Sequence, residues 1–372
     1  MNRRVIALLL LLGCYAEAPA AVDLVSFDKQ FSALLEADGV PGGAYVIVQD
    51  GAIARSAGHG SRERGGSLAV TPETVFRLAS VSKPMAAQLT SMLVKDGFLS
   101  WDEPLRRHVP EFRLADSTHS DSIQLQHLLS QSSGIVPNAY DNLLNASQSA
   151  EQILPNFADV DSTCRPGSCY TYQNVLFALI EPVIESTTRQ SFETLMSERI
   201  FEPLGMQQSS IGLNAFRASE NRARAHVRSS RFLPWMPVET NANYYAVSAA
   251  AGVNASANDM GQWLIAQMGN REDVLNAEQL AELTRPRIRT RRELRRRAWR
   301  DLLTNAHYGL GWRIYEIGDD TLYLHSGWVR GFVAEVAYSR QRQIGIAVLL
   351  NAETRALNAI TTSFWSKVLS EE

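Results

Sequence analysis

The hydrophobic pattern of the chain changes its period twice. Residues 43–59 read as a hairpin that turns at Asp50 and Gly51, after a short amphipathic helix over 29–36. From about residue 85 the apolar positions recur at helical spacing, and strand-like alternation returns from Tyr308. Because the strand segments lie at both ends of the chain, the pattern predicts one sheet built from both ends with helices between.

The periodicity places most elements. It predicts helices over 29–36, 85–97, 124–131, 173–188, 191–202, 257–268, 277–284 and 355–369, and strands over 308–316, 321–325, 329–338 and 343–350. Pro182 should kink the helix that contains it. The predicted fold class is α/β: an antiparallel sheet flanked by terminal helices, plus an inserted, mainly helical domain. We assign 21–78 and 305–372 to the sheet domain and 79–304 to the helical domain.

The first twenty residues resemble a signal peptide. Arg3 and Arg4 precede an apolar stretch over 5–13, and a small-residue cleavage pattern follows at 18–20. The prediction is a mature protein that starts at residue 21 and is periplasmic or secreted. A lipid anchor at Cys14 is a less favoured alternative. No later apolar run is long enough to predict a membrane span.

Composition narrows the class of partner. The chain has 372 residues, of which 45% are apolar and 20% charged, with a net charge of −3, so an ordinary globular fold without a nucleic-acid-binding field is expected. The segment 285–300 holds nine arginines and one acid. It is predicted to be a solvated surface, with weak contact to anionic envelope polymers or lipid headgroups as the alternative.

Cofactors and oligomers leave no signal in the sequence. The seven histidines show none of the short spacings that zinc sites use, so no metal site and no cofactor are predicted, and a monomer is expected.

Two cysteines remain after removal of the first twenty residues. Cys164 and Cys169 flank a Pro-Gly turn, where they could come within bridging distance in an oxidising compartment. A disulfide is predicted, and two free buried thiols are the alternative.

Ser80 and Lys83 are the first candidates for catalysis. They lie three residues apart where a strand pattern gives way to a helix, so hydroxyl and amine share one helix face. A serine needs a base to become a nucleophile, and burial or nearby positive charge can lower a lysine pKa enough to supply one. Ser26 and Lys29 have the same spacing, without any further reason for catalysis.

Two further motifs carry polar groups suited to acyl transfer. Tyr172 and Asn174 open an apolar helix, and a tyrosine kept deprotonated by nearby cations could act as a general base. Tyr140 and Asn142 have the same spacing. His325 ends a predicted strand, and the glycine two residues later would let a substrate lie along the strand edge.

In this order and spacing the chain resembles the serine penicillin-recognising enzymes: class C β-lactamases, DD-peptidases and related esterases. The matching segments are 72–77, 79–83, 128–134, 172–174, 201–206, 308–312 and 325–327. The resemblance covers nearly all of the chain after residue 20. It implies an α/β domain with an antiparallel sheet plus a helical domain, in agreement with the periodicity.

The resemblance also implies roles for individual residues. Ser80 would be the acylated nucleophile, with Lys83 and Tyr172 as its proton-transfer partners and Asn174 orienting the substrate. The backbone N–H groups of Ser80 and Trp328 would form the oxyanion hole.

One departure from the class C pattern concerns the substrate-binding strand. Class C enzymes usually have Lys-Thr-Gly where this chain has His325, Ser326 and Gly327. A histidine of ordinary pKa is only partly charged at neutral pH, so the hold on a substrate carboxylate should weaken. Arg330 could restore a permanent charge, and Asn351 could add an amide. The alternatives are an ordinary surface arginine and an asparagine that ends a strand.

The predicted activity is hydrolysis of the β-lactam amide bond by an exported serine hydrolase. The alternatives are an esterase or D-alanyl-D-alanine carboxypeptidase with the same site, or a penicillin-binding receptor that is acylated without turnover. The expected partner is therefore a small-molecule β-lactam, an ester or a peptidoglycan peptide.

Overall fold

An eight-stranded antiparallel sheet organises the protein. The structure, a computed structural model, describes residues 23–370, so the predicted signal peptide and Cys14 lie outside the described residues. The strands are β1 (Gly42–Gln49), β2 (Ala52–Gly60), β3 (Ile288–Arg289), β4 (Asn305–Tyr308), β5 (Arg313–Ile317), β6 (Asp320–Val329), β7 (Phe332–Ser339) and β8 (Ile344–Leu350). Their order across the sheet is β2-β1-β8-β7-β6-β5-β4-β3.

Both ends of the chain build this sheet. Strand β1 pairs with β8, and Gly43 lies opposite Leu350 in that register. Every neighbouring pair in the sheet is antiparallel. The predicted α/β fold with an antiparallel sheet is therefore confirmed.

Six helices of eight residues or more occur in the described chain: α1 (Leu24–Ala37), α2 (Ser82–Lys95), α3 (Ile180–Thr188), α4 (Ala257–Gln267), α5 (Ala277–Thr284) and α6 (Ala356–Ser370). Shorter helical segments are Ser117–Ser122, Leu125–Leu129, Asp141–Asn145, Ala150–Ile153, Val175–Ala178, Phe192–Met196, Glu202–Leu204, Leu213–Ala218 and Ser248–Ala251. Ala79–Val81, Leu105–Arg107, Leu154–Asp159, Asn243–Val247 and Glu293–Arg295 are 3₁₀ turns, and Ser197–Phe201 is a π turn. Between residues 23 and 370, no helix has the length and apolarity that a membrane crossing requires.

The sheet is buried on both faces. Helices α1 and α6 cover one face, where Phe31 and Trp365 pack with Tyr45 of β1. Helices α2 and α4 lie on the other face, where Val46 of β1 joins the larger core. This two-sided burial explains why β1 reads as nearly continuous apolar sequence.

Two strand boundaries differ from the prediction. The segment predicted as one strand over 308–316 is a hairpin, because Gly311 takes a φ of +75° and the chain reverses between Tyr308 and Arg313. The strand predicted to end at His325 continues to Val329, before a turn at Gly331. His325 therefore lies inside a strand.

The predicted kink near Pro182 is a break. The helix expected over 173–188 divides into Val175–Ala178 and α3, with Leu179 between them. Pro182 has no N–H to donate to the carbonyl of Ala178, so the helical ladder is interrupted there.

Candidate active site

A strained turn presents Ser80 at the start of α2. Strand Phe76–Arg77 pairs with Val253–Ala255, and the N–H of Leu78 donates to the carbonyl of Val253 at 3.0 Å. The next residue, Ala79, has a φ of +51°, a backbone angle that residues other than glycine rarely adopt. Such strain persists only where surrounding contacts enforce it, and here it turns Ser80 away from the preceding strand.

The structure brings Ser80, Lys83 and Tyr172 together. Lys83 Nζ lies 3.1 Å from Ser80 Oγ, and the phenolic oxygen of Tyr172 lies 2.9 Å from the same Oγ. Ser80 is partly exposed, whereas Lys83 is fully buried. A reactant can therefore approach the hydroxyl while the amine that would accept its proton stays shielded from water.

The surroundings of Lys83 favour its neutral, basic form. Burial lowers its pKa well below the usual range, and the charge of Arg313 reinforces this while that of Asp141 opposes it. Its Nζ also lies 2.7 Å from Asn174 Oδ1 and 3.0 Å from the carbonyl oxygen of Ala250. A neutral amine has two N–H groups for these two acceptors, which leaves its lone pair for the Ser80 hydroxyl.

Asn174 is itself oriented by a residue that the sequence analysis passed over. Its Nδ2 donates to Asp141 Oδ2 at 2.8 Å, so its Oδ1 is directed toward Lys83. Asp141 belongs to the second Tyr-x-Asn motif, at 140–142. Asp141 can orient Asn174 because the fold places the two side chains together, and the motif spacing does not reveal that contact.

The Gln131 side chain holds the irregular segment that carries Tyr172. Gln131 accepts a hydrogen bond from the N–H of Gln173 at 2.6 Å and donates one to its carbonyl at 3.0 Å. Burial raises the pKa of Tyr172, although Arg313 and the Ser80 hydroxyl oppose the rise. The prediction of a deprotonated tyrosine is therefore wrong: Tyr172 is a phenol that donates to Ser80 Oγ.

Removal of the Tyr172 hydroxyl is expected to lower turnover by about 10²- to 10⁴-fold, the usual contribution of a positioned proton donor. The Tyr172→Phe variant should fold, because the ring remains. Steady-state kinetics measures the loss of turnover, and the melting temperature shows whether the variant is folded.

The matched control is Tyr140→Phe, since the Tyr140 hydroxyl donates to the carbonyl of Asn156 at 2.6 Å and takes no part in the site. Wild-type turnover in Tyr172→Phe would contradict the assignment.

His325 is buried and uncharged. Burial lowers its pKa well below the ordinary value, and the nearby charge of Arg313 lowers it further. Its Nδ1 lies 3.1 Å from the carbonyl oxygen of Ser326, and its Nε2 lies 3.0 Å from the Tyr308 hydroxyl. A neutral ring donates from Nδ1 and accepts at Nε2. The expectation of a partly charged histidine is therefore wrong.

Arg313 brings positive charge to the site, and the sequence analysis did not single it out. Its guanidinium carbon lies 5.8 Å from the centre of the Tyr172 ring, and its Nη1 donates to Glu293 Oε1 at 2.8 Å and to the Tyr170 hydroxyl at 3.3 Å. It directly follows the 308–312 segment that carries part of the resemblance. This mostly buried cation is paired with Glu293, twenty residues away in sequence, so the sequence pattern around Arg313 does not reveal it.

Loss of the Arg313 charge should move the acid limb of the pH–kcat/KM profile to higher pH. In Arg313→Gln the pKa of Lys83 rises, so more alkaline conditions are needed for the neutral amine, by roughly half to one pH unit. The measurement is kcat/KM across pH, with exposed Arg295→Gln as control. An unshifted limb in a folded Arg313→Gln variant would remove Arg313 from this role.

Gly327 allows β6 to lie against the Ser80 turn. A Cβ at this position would fall 2.2 Å from the Leu78 carbonyl oxygen and 2.9 Å from the Ser80 nitrogen. We expect Gly327→Ala to displace Ser80 and to slow acylation by about 10²-fold. Stopped-flow acylation together with thermal melting measures this, and a wild-type rate would show that the close approach is dispensable.

The other residues predicted to bind substrate differ in their exposure to solvent. Ser326 is partly exposed, and both Trp328 and Arg330 are exposed beside a cavity of about 510 Å³. Their roles in substrate binding and in the oxyanion hole stay predictions.

Asn351, by contrast, is fully buried: its Nδ2 donates to the Ser61 and Arg62 carbonyls, and its Oδ1 accepts from the Gly42 N–H. Its amide holds β1 and β2 in place, so the prediction of a substrate contact is wrong.

The two other sequence features resolve clearly. A disulfide joins Cys164 to Cys169, which excludes the alternative of two free thiols. Ser26 and Lys29 lie on α1, whose buried residues pack on the sheet face away from α2. Within 23–370, no cluster of three or more His, Cys, Asp or Glu side chains is placed to hold a metal ion.

Comparison with known proteins identifies related sequences. The sequence profile of the family described as Beta-lactamase matches residues 27–363. The chain is 30% identical over 187 residues to penicillin-binding protein 4 of Amycolatopsis lactamdurans, covering 50% of this chain and 49% of that protein. It is 24% identical over 321 residues to the unguisins hydrolase ungD' of Aspergillus campestris, covering 84% and 58%. The chain thus spans about half to three-fifths of the length of these relatives.

Solved structures share the fold. The octameric penicillin-binding protein homologue from Pyrococcus abyssi superposes with a TM-score of 0.82 at 22% identity, covering 94% of this chain and 78% of that one. A D-stereospecific amidohydrolase from Streptomyces sp. gives a TM-score of 0.75 at 21% identity, covering 92% and 99%. At these sequence identities the likeness shows a shared fold and nothing about activity.

Proposed function

The chain belongs to the Beta-lactamase family, and on that premise we propose that it is a serine hydrolase that opens the β-lactam amide bond through an acyl-enzyme on Ser80. The proposal rests mainly on one observation: an amine and a phenol both lie within hydrogen-bond distance of the Ser80 hydroxyl oxygen. A neutral amine, Lys83, can accept the Ser80 proton, and a phenol, Tyr172, can donate one nearby.

The proposed reaction has two stages. Ser80 Oγ bonds to the carbonyl carbon while its proton passes to Lys83. The carbon–nitrogen bond then breaks, and the leaving nitrogen takes a proton through Tyr172, so that the net transfer is from the serine to that nitrogen. Water next attacks the ester, the same groups take its proton, and the acid and Ser80 are released.

A second candidate is hydrolysis of esters or of D-amino-acid peptides at the same site. The uncharged His325 supports it, since the strand position then offers no fixed charge for a β-lactam carboxylate. A solved structural neighbour named as a D-stereospecific amidohydrolase lends further support.

The test is a substrate panel read by kinetics and by intact mass. The panel holds a penicillin, a cephalosporin, a carbapenem, a p-nitrophenyl ester and a D-Ala-D-Ala peptide. Fastest turnover of β-lactams supports the first proposal, and preference for the ester or peptide supports the second. Stoichiometric adducts without turnover would indicate a penicillin-binding receptor. Absence of any adduct on Ser80 would overturn the acyl-enzyme.

We also propose that the protein is exported. The charged and apolar pattern over 1–20 supports this, as does the Cys164–Cys169 disulfide, since such bonds persist in oxidising compartments. Cell fractionation and N-terminal sequencing of the expressed chain test it: a cytoplasmic protein that retains residues 1–20 would contradict export.

A further inference from the structure

A cavity of about 450 Å³ opens beside Tyr172, on the side of the disulfide loop. Three arginines line it: Arg289, Arg291 and Arg292. We call this cavity the arginine cleft. Among the described residues that line it there is no aspartate or glutamate.

The arginines of the cleft have charge available for a ligand. Arg289 Nε donates to the amide oxygen of Asn305 at 3.1 Å, which leaves its charge without a counter-ion. Arg291 and Arg292 are exposed, and neither forms an ion pair with any residue between 23 and 370. Charges of one sign on the wall of a concave site raise the local concentration of the opposite charge.

Other arginines of the 285–300 segment are neutralised within the protein. Their ion pairs join Arg285 and Arg287 to Glu282, Arg296 to Glu293, and Arg300 to Asp301. Two more, Arg295 and Arg297, have no ion pair in the described chain, but they do not line the cleft. The segment thus divides into arginines paired with acidic side chains, arginines that line the cleft, and two that can serve as controls.

Tyr172 borders both the cleft and the reacting group. Its side chain lines the cleft, and its hydroxyl lies 2.9 Å from Ser80 Oγ. A substrate whose carbonyl sits at Ser80 and that extends past the Tyr172 ring would reach the cleft. A carboxylate on that extension would meet guanidinium groups, whose planar donors suit it well.

We propose that the arginine cleft is a subsite for a carboxylate carried by the substrate, some distance from the bond that is cleaved. This inference rests on the proposed function, because it assigns the cleft to the substrate that acylates Ser80. The substrate class is then an amide or ester with an acidic side chain or extension, such as an acidic peptide, in preference to a neutral one.

The experiment compares matched chromogenic substrates that differ only in carrying a carboxylate or a carboxamide. One pair carries the group on the acyl part and a second pair on the leaving group. For the wild type we expect kcat/KM to favour the carboxylate by about tenfold at low salt in one of the pairs, through KM, which is the scale of two partly exposed ion pairs. Added salt should erode the preference.

The variant Arg291→Gln/Arg292→Gln should lose this preference and its salt dependence. The control Arg295→Gln/Arg297→Gln removes two charges from the same segment outside the cleft and should keep both. Equal kcat/KM for carboxylate and carboxamide in both pairs, or equal loss in the two double variants, would overturn the subsite while turnover leaves the proposed function standing. Absence of a Ser80 adduct with every substrate would overturn both proposals.

Discussion

Ser80→Ala is expected to lower turnover by at least about 10⁴-fold, the scale seen when a nucleophile is removed from a serine hydrolase. The reason is that in the proposed mechanism Ser80 Oγ makes the bond to the acyl group, and neither Lys83 nor Tyr172 can replace it. The loss should appear in kcat and kcat/KM alike, with no covalent adduct by intact mass. The melting temperature should stay close to that of the wild type, because Ser80 is partly exposed.

The control is Ser26→Ala, which removes a serine with the same Ser-x-x-Lys spacing from α1. It should leave both the adduct and turnover unchanged. Nitrocefin hydrolysis that persists in Ser80→Ala, or an adduct that maps to residue 26, would refute the assignment of the nucleophile.

Lys83→Met should reduce the acylation rate by about 10²- to 10⁴-fold while it preserves the buried aliphatic stem. The amine is lost, so no base faces Ser80 Oγ, and Asn174 Oδ1 and the Ala250 carbonyl each lose a donor. Stopped-flow measurement with a chromogenic β-lactam or ester gives the acylation rate, whichever of these the wild type uses.

The pH dependence provides a sharper readout of the same residue. In the wild type, acylation should increase as pH rises through the lowered pKa of Lys83 and level off above it, since only the neutral amine accepts a proton. Lys83→Met should lack this limb, and exposed Lys29→Met should retain it. A folded Lys83→Met variant with the wild-type rate and the same limb would show that another group is the base.

The hydrophobic pattern predicted the architecture well where burial of side chains in the sheet alone decided the structure. The two-residue alternation and apolar runs near both ends led to an antiparallel sheet that joins β1 to β8. Turns were harder to predict. The reversal at Gly311 depends on a positive φ and on close packing against the Lys83 carbonyl, and neither is visible in the hydrophobic pattern. The pattern therefore predicted a single strand where the structure has a hairpin.

The candidate site shows the same division. The Ser80, Lys83, Tyr172 and Asn174 side chains were found from motif spacing and resemblance, and the structure brings them within hydrogen-bond distance. Asn351 was misassigned because a buried amide that holds two backbone segments looks, in sequence, like any polar residue that follows a strand.

The sequence by itself determined the residue types at the site and the order of the main strands and helices, because side-chain chemistry and periodicity are local properties. Only the tertiary structure decided which protonation states are favoured: the neutral amine at Lys83, the phenol at Tyr172 and the uncharged ring at His325. Burial shifts the pKa of all three groups, and the charge of Arg313 reinforces the shift at Lys83 and His325. Both causes arise when segments far apart in the chain pack together.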